Sequence, residues 1–278
     1  MPKHLKFLNI VLMAVGVFLF TVNCYSQTEK EYQSQGYQFQ QNGKYDEAIS
    51  AYSKAIQINP YNGYNYLVRA SLYYGMKDYD KVISDYTEAI KLNPKDQDLY
   101  FRRGLMYDIV HKTDEGIADW IKSIEIDPVK SAAYLSLVSA YRIKKDYEHA
   151  LLYINKAIKV RPENFMNYDL CGWVYSDKGE FDDAITNFNK ALEEINHDLS
   201  SDDLDKKRAF MSLQEYKDVL RKNEARIYLH RAKAFLGKKD FEKSWSDVHQ
   251  AESLGGQTIF KDDSKFLEDL KKASGRDN

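Results

Sequence analysis

Four prolines, Pro60, Pro94, Pro128 and Pro162, recur with a constant step of 34 residues, and the only other proline of the chain is Pro2. A fixed period of this size marks an array of stacked supersecondary units rather than a single globular core. Laid out in that period, the chain divides into units 29–62, 63–96, 97–130, 131–164 and 165–198, with a sixth at 225–256 beyond an insert of 26 residues. The eighth, twentieth and twenty-seventh positions of each unit stay small. They read Gly36, Ala48 and Ala55 in the first unit, Gly104, Gly116 and Ser123 in the third, and Ala232, Ser244 and Ala251 in the sixth. Small residues at such points allow two antiparallel helices to approach closely.

Large apolar residues surround them at helical spacing. In the second unit Tyr66, Ala70 and Tyr73 form one stripe, and Tyr79, Val82, Ile83, Tyr86, Ala89 and Ile90 form the next. Lys77-Asp78 lies between the stripes with Gly75 just before it, and Asn93-Pro94 closes the unit, because proline cannot continue a helix. Each unit is therefore expected to be a helix, a short turn and a second helix.

With Tyr32, Tyr66, Tyr100, Tyr134, Tyr168 and Tyr228 at the fourth position and Phe39, Tyr73, Tyr107, Tyr141, Tyr175 and Phe235 at the eleventh, the chain resembles the tetratricopeptide repeat family. The resemblance covers 29–256 apart from the insert. It implies an all-α, right-handed α-solenoid of antiparallel helix pairs. Departures from the family pattern are Thr113 in place of an aromatic at position 17 of the third unit, Asn196 where a fifth proline would fall, and Gly255-Gly256 where a sixth would. The array is expected to change character after about residue 195, and to pack less tightly around Thr113.

The segment before the array has Lys3, His4 and Lys6 followed by an uncharged apolar run from Phe7 to Val22, interrupted by Asn9 and ending near Cys24-Tyr25-Ser26. That is the layout of a signal peptide spanning 1–26, too short in its apolar part for a membrane-spanning helix of roughly 20 residues. The expectation is export with cleavage after Ser26, giving a periplasmic or secreted protein with no membrane span. A rival reading lipidates Cys24, although Thr21-Val22-Asn23 matches a lipoprotein box poorly. Formal net charge is −2, with no basic excess that would point to nucleic acid. Without the leader Cys171 is the only thiol, expected to be a small buried residue rather than a reactive one.

In the insert, 199–224, Ser200-Ser201-Asp202-Asp203 offers capping groups and Ala209, Leu213, Tyr216 and Leu220 follow at helical steps, so a separate amphipathic helix is expected. The aspartates Asp198, Asp202, Asp203 and Asp205 lack the glycine turn and terminal glutamate of a calcium loop. Beyond the sixth unit, 257–278 carries Asp262-Asp263-Ser264, then Phe266, Leu267, Leu270 and Ala273, then Gly275, the pattern of a capping helix over the open end of the array.

A search for chemistry finds no phosphate-binding glycine loop, paired-histidine metal motif or nucleophile elbow, so no catalytic, cofactor or metal residue is assigned and no enzyme is expected. His111, His149, His197, His230 and His249 are scattered. What the resemblance implies instead is a binding groove on the concave face, lined by first helices at positions 2, 5, 9 and 12. Here these give Tyr37, Tyr64, Leu67, Tyr74, Phe101, Leu105, Leu135, Met166 and Trp173, with Arg102 and Arg142 and other charges, Asp98, Asp108, Asp169, Arg226 and Lys233, among them. An aromatic trough of this kind suits a protein or peptide ligand. Of the residues with which one subclass of the family grips a peptide carboxylate, only Arg102 has a counterpart, against Gln33, Tyr37, Val68 and Asp98. Two functions follow: an exported non-catalytic scaffold holding an extended peptide or partner helix, or an assembly component of a bacterial envelope complex that docks through its convex face, insert or caps.

Overall fold

Proline and asparagine punctuate the helices as the period requires. In the computed structural model, which describes residues 28–129, 132–201, 211–255 and 263–275, the described chain is all helix and turn. The expected signal peptide, 1–26, therefore lies outside the described residues. The chain divides into two units, Met1–Ala133 and Tyr134–Asn278.

The first unit holds α1 (28–41), α2 (Tyr45–Ile58), α3 (Gly63–Gly75), α4 (Tyr79–Leu92), α5 (Gln97–Ile109) and α6 (Thr113–Ile126). The second holds α7 (Ala133–Ile143) from its second residue on, then α8 (Tyr147–Val160), α9 (Phe165–Lys178), α10 (Phe181–Ser200), α11 (Leu213–Gly237), α12 (Phe241–Ser253) and α13 (Ser264–Ser274). Successive helices pack on one another within each unit, the all-α solenoid arrangement, and α11 also touches α9. Second helices end two residues before each proline, with Asn59, Asn93, Asp127 and Arg161 as their C-caps. Two residues after each of three prolines, Asn62, Asp96 and Asn164 cap the next helix, their side chains accepting from the backbone N–H two residues on. The turn inside every pair is made by a left-handed residue at one position: Gly43, Lys77, His111, Lys145, Gly179 and Lys239.

Glycine at the eighth position does more than let backbones approach. A Cβ on Gly36 would meet the Tyr52 ring at 2.7 Å, one on Gly104 would meet Trp120 Nε1 at 2.6 Å, and one on Gly172 would meet the Phe188 ring at 2.6 Å. In each case the ring comes from the position sixteen residues further on, and it fills the space the glycine leaves. Tyr52, Trp120 and Phe188 are buried almost completely, and full burial of a side chain of this kind contributes about 1.5–3 kcal/mol. In the third pair the backbones also close up, since a Cβ on Gly116 would lie 2.9 Å from the Gly104 carbonyl oxygen.

A second internal pattern couples neighbouring pairs. Arg69 donates from Nε and Nη2 to both carboxylate oxygens of Asp85, at 3.0 and 2.6 Å, and from Nη1 to Ser53 Oγ at 2.9 Å. Arg103 repeats the arrangement with Asp119 and Thr87, and Arg231 with Asp247 and Asn189. Each guanidinium also lies within 6 Å of two aromatic rings of its own helix, Tyr66 and Tyr73, Tyr100 and Tyr107, or Tyr228 and Phe235. One fork thus joins the two helices of its pair to the second helix of the pair before.

In the described part of the insert the expected helix over Leu213, Tyr216 and Leu220 forms, but two boundaries differ from expectation. Ser200 is the last residue of α10 rather than the start of a new helix, and the helix that begins within the insert at Leu213 runs on without a break as the first helix of the sixth pair. Asn196 explains the first difference: with no proline, α10 runs for 20 residues where α2, α4, α6 and α8 have 14. The start of α11 is set by a capping box in which Ser212 Oγ accepts from Glu215 N–H and the Glu215 carboxylate accepts from Ser212 N–H. Of the expected capping residues, Asp202 and Asp203 lie outside the described residues. Leu220 joins Phe188, Leu192 and Ile195 in one apolar cluster. At the far end α13 places Phe266 and Leu270 against Ala225, Leu229, Val248 and Ala251 of the last pair.

Candidate functional site

In the first unit the face built by α1 and α3 leaves aromatic surface uncovered. Tyr37 is 57% exposed, Tyr64 56% and Tyr74 51%, and Leu67 is exposed beside them. These residues occupy outward positions because the inward ones of the same helices carry Gly36, Tyr66, Ala70 and Leu72, all buried. Tyr74 meets Tyr79 edge-on, with ring centres 6.0 Å apart. On α5, Arg102 is exposed and Phe101 half-buried, and the Phe101 carbonyl accepts from Trp120 Nε1 at 3.3 Å. Leu105 is half-buried and packs on the Ala70, Val82 and Met106 cluster, so it serves the core between pairs as well as the face.

In the second unit Leu135 and Met166 are exposed, whereas Arg142 and Trp173 are half-buried and meet each other. The Arg142 guanidinium sits 4.4 Å from the centre of the Trp173 ring and its Nε is 3.3 Å from Asp177 Oδ2. Trp173 borders a cavity of about 220 Å³ whose other walls are Ser176 and Asp177 of α9, Phe181 and Phe188 of α10, and His230 and Lys233 of α11. Its position follows from packing already described. Phe188 is seated by Gly172, and Phe181 by Gly237, where a Cβ would come within 2.4 Å of the ring.

The charges around this cavity are compensated in pairs. Asp169, a groove residue by sequence, is instead buried: its carboxylate accepts from His230 Nδ1 at 2.7 Å across α9 and α11. Taking an acidic side chain out of water requires such a partner. Lys233 Nζ lies 2.5 Å from Asp263 Oδ1 at the start of α13 and 6.0 Å from the centre of the Trp173 ring. His230 presents its edge to Trp173 with ring centres 4.7 Å apart. Of these walls, sequence reasoning singled out Trp173 and Lys233 as groove residues but missed Ser176, Asp177, Phe181, Phe188 and His230. The aromatic identity of positions 17 and 24 in the fifth unit was the available signal for the two phenylalanines, whereas Asp169 and His230 are 61 residues apart and nothing local links them.

Cys171 is buried, and burial pushes its thiol up to about 12, so it is no nucleophile at neutral pH. Among the described residues no group of three or more histidine, cysteine or acidic side chains could hold a metal ion, and no helix is long and apolar enough to cross a membrane.

Comparison with known proteins places this geometry. A tetratricopeptide repeat model matches residues 30–62, and a second model of the same description matches 64–96, 131–164 and 168–197. No curated protein matches the chain. Among solved structures, MamA is similar with a TM-score of 0.56 at 23% identity, over 64% of this chain and 97% of that one. A tetratricopeptide repeat protein of Parabacteroides merdae gives 0.54 at 18% identity, over 89% of this chain and 99% of that one. YrrB, described as a tetratricopeptide repeat protein with an unusual peptide-binding site, gives 0.53 at 16% identity over 78% and 98%. At these identities the likeness is one of fold.

Proposed function

Since the chain belongs to the tetratricopeptide repeat family, we propose that it is a non-catalytic scaffold for protein–protein interaction that holds an extended peptide or a partner helix against its first helices. The observation that carries this reading is the uncovered aromatic face of α1 and α3, where Tyr37, Tyr64 and Tyr74 each expose more than half of their surface. Exposed aromatic side chains supply large contact area at small entropic cost, which is why interfaces concentrate their binding energy in them. The peptide-binding site attributed to YrrB, a protein of similar fold, lends support.

Capture from envelope extract with the full mature chain, beside a Tyr37→Ala, Tyr64→Ala, Tyr74→Ala variant of unchanged helicity, tests the face. Partners lost in the variant support it. Partners retained in full sink it and favour an assembly component docking elsewhere. Binding there should rest on burial more than on charge: Phe101→Ala should cost roughly 2 kcal/mol if that ring is an anchor, while Arg102→Ala should mainly alter association rate and salt dependence.

Export belongs to the same proposal. The mature chain should begin at Gln27, and intact mass of the exported product checks it; a lipidated Cys24 would put the protein on a membrane surface instead.

A further inference from the structure

The aromatic face of α1 and α3 also lacks charge. Beyond Lys30 in the first turn of α1, no groove position of either helix is acidic or basic: Tyr37 and Gln40 lie on α1, and Tyr64, Leu67, Ser71 and Tyr74 on α3. Glu29 is buried and its carboxylate is taken up by Asn59, Asn62 and Asn65, while the Arg69 guanidinium is taken up by Asp85 and Ser53. Neither offers a charge to a ligand. On the next first helix the pattern stops, since α5 exposes Asp98, Arg102 and Asp108. Tyr64 and Tyr37 belong to one surface: beneath them lies Tyr52, the ring seated against Gly36, whose phenol is pushed up by burial and then by these two neighbours. Tyr64 and Tyr74 stand about 15 Å apart along α3, the length of about four to five residues of extended chain.

We propose that this face selects an uncharged stretch of the bound peptide, about four to five residues long, and excludes lysine, arginine, aspartate and glutamate from it. The proposal rests on the scaffold reading and names the substrate class of the same site. A charged side chain laid on the face gives up water and finds no opposite charge, so the missing charges act against such ligands. Attraction of a cation to an exposed tyrosine ring is weak and does not offset that loss. An uncharged peptide meets what the face offers. The rings take its apolar side chains, and the hydroxyls of Tyr37, Tyr64 and Tyr74, which have no protein partner among the described residues, take its backbone groups.

The test uses the full mature chain and three synthetic pools of acetylated, amidated peptides. In the first pool a central stretch of about five residues is drawn from leucine, phenylalanine, tyrosine, serine, glutamine and glycine. In the other two, each position of that stretch is fixed in turn as lysine or as glutamate. Affinity selection with mass spectrometry finds the tightest members of each pool, and fluorescence anisotropy gives their dissociation constants. The best uncharged peptides should bind about ten-fold more tightly than the best lysine or glutamate peptides, the effect of leaving one charge without a partner. Ser71→Asp should strengthen binding of the lysine peptides, because it sets a carboxylate among the rings at an exposed position whose hydroxyl now bonds the Val68 carbonyl of its own helix. Lysine or glutamate peptides that bind as tightly as uncharged ones, no gain for lysine peptides with Ser71→Asp, or no binding from any pool would each overturn the proposal. If charged and uncharged peptides bind equally and the Tyr37, Tyr64 and Tyr74 variant loses both, the scaffold reading stands and only the selectivity is refuted.

Discussion

Arg231 Nη1 donates to Asn189 Oδ1 at 2.6 Å across 42 residues of chain, in the same arrangement that joins Arg69 to Ser53 across 16. The difference is the length of the insert, so the chain leaves the array and returns to it in register. Side-chain geometry, rather than sequence distance, identifies the sixth pair as the direct successor of the fifth.

That fork yields a stability prediction. Burial pushes the Asp247 carboxyl above its ordinary value even with the Arg231 fork opposing the shift. Removing the arginine leaves a buried, unpaired carboxylate, and Arg231→Ala should cost about 3 kcal/mol. Replacing both, Arg231→Leu with Asp247→Leu, should recover most of that loss, because the pair itself returns little beyond its desolvation. Chemical denaturation of the single and double variants checks both statements.

Gly104→Leu should lower the denaturation midpoint. Even its Cβ would meet Trp120 Nε1 at 2.6 Å, and that indole is held by the Phe101 carbonyl. Overpacking of this sort costs roughly 1–3 kcal/mol, more than the roughly 1 kcal/mol of helix propensity gained on replacing glycine. An unchanged midpoint would mean that the ring can move aside.

Glu29 gives the first two pairs an acid-sensitive seam. Its carboxylate accepts from Asn59, Asn62 and Asn65 Nδ2 at 2.8, 2.6 and 2.8 Å, and from Gln33 Nε2 at 3.2 Å. Burial alone would raise the carboxyl, but the three asparagine hydrogen bonds outweigh it and hold the group below its ordinary value of 4.5. A depressed carboxyl stabilises the fold above the unfolded value and loses that contribution as pH falls through the folded one. Glu29→Gln should thus cost about 2 kcal/mol at pH 7, and the gap between variant and parent should shrink as pH drops below about 4.5. Denaturation series at neutral and acid pH measure it; a gap that does not change with pH refutes the assignment.

The Cys171 thiol, buried and pushed up to about 12, should be inert to a disulfide reagent at pH 8 in the folded protein. It should react fully once denaturant is added. Rapid modification without denaturant would show that α9 opens readily.

The helices, their turns and the small positions could all be read from one period, because each depends on residues close in sequence. Ser212 and Glu215 show a local signal present but overlooked: their capping box starts α11, yet Ser200 and Ser201 looked equally suitable without knowledge that α10 would run on through Asn196. The candidate site was legible only in part. Outward positions of α1 and α3 follow from helical spacing, so Tyr37, Tyr64 and Tyr74 emerge directly. Asp169 looked like one more outward charge. Its burial depends on His230, and their meeting requires knowing that the insert restores register, a relation between pairs that no single helix encodes. The Arg–Asp forks are of the same kind, visible as a recurring pair of residue types only once a structure shows what they join.

The missing proline at 196 fixes a length as well as an end. At 1.5 Å per residue, the 20 residues of α10 outreach the 14-residue second helices by about 9 Å, and the 25 residues of α11 outreach the 13 of α3 or α5 by about 18 Å. Both surpluses fall on one edge, where α10 ends and α11 begins, and Leu199, Leu213 and Tyr216 pack there against the cluster that holds Leu220. The surplus turns thus carry their own apolar packing and extend the core of the second unit beyond the repeat pattern.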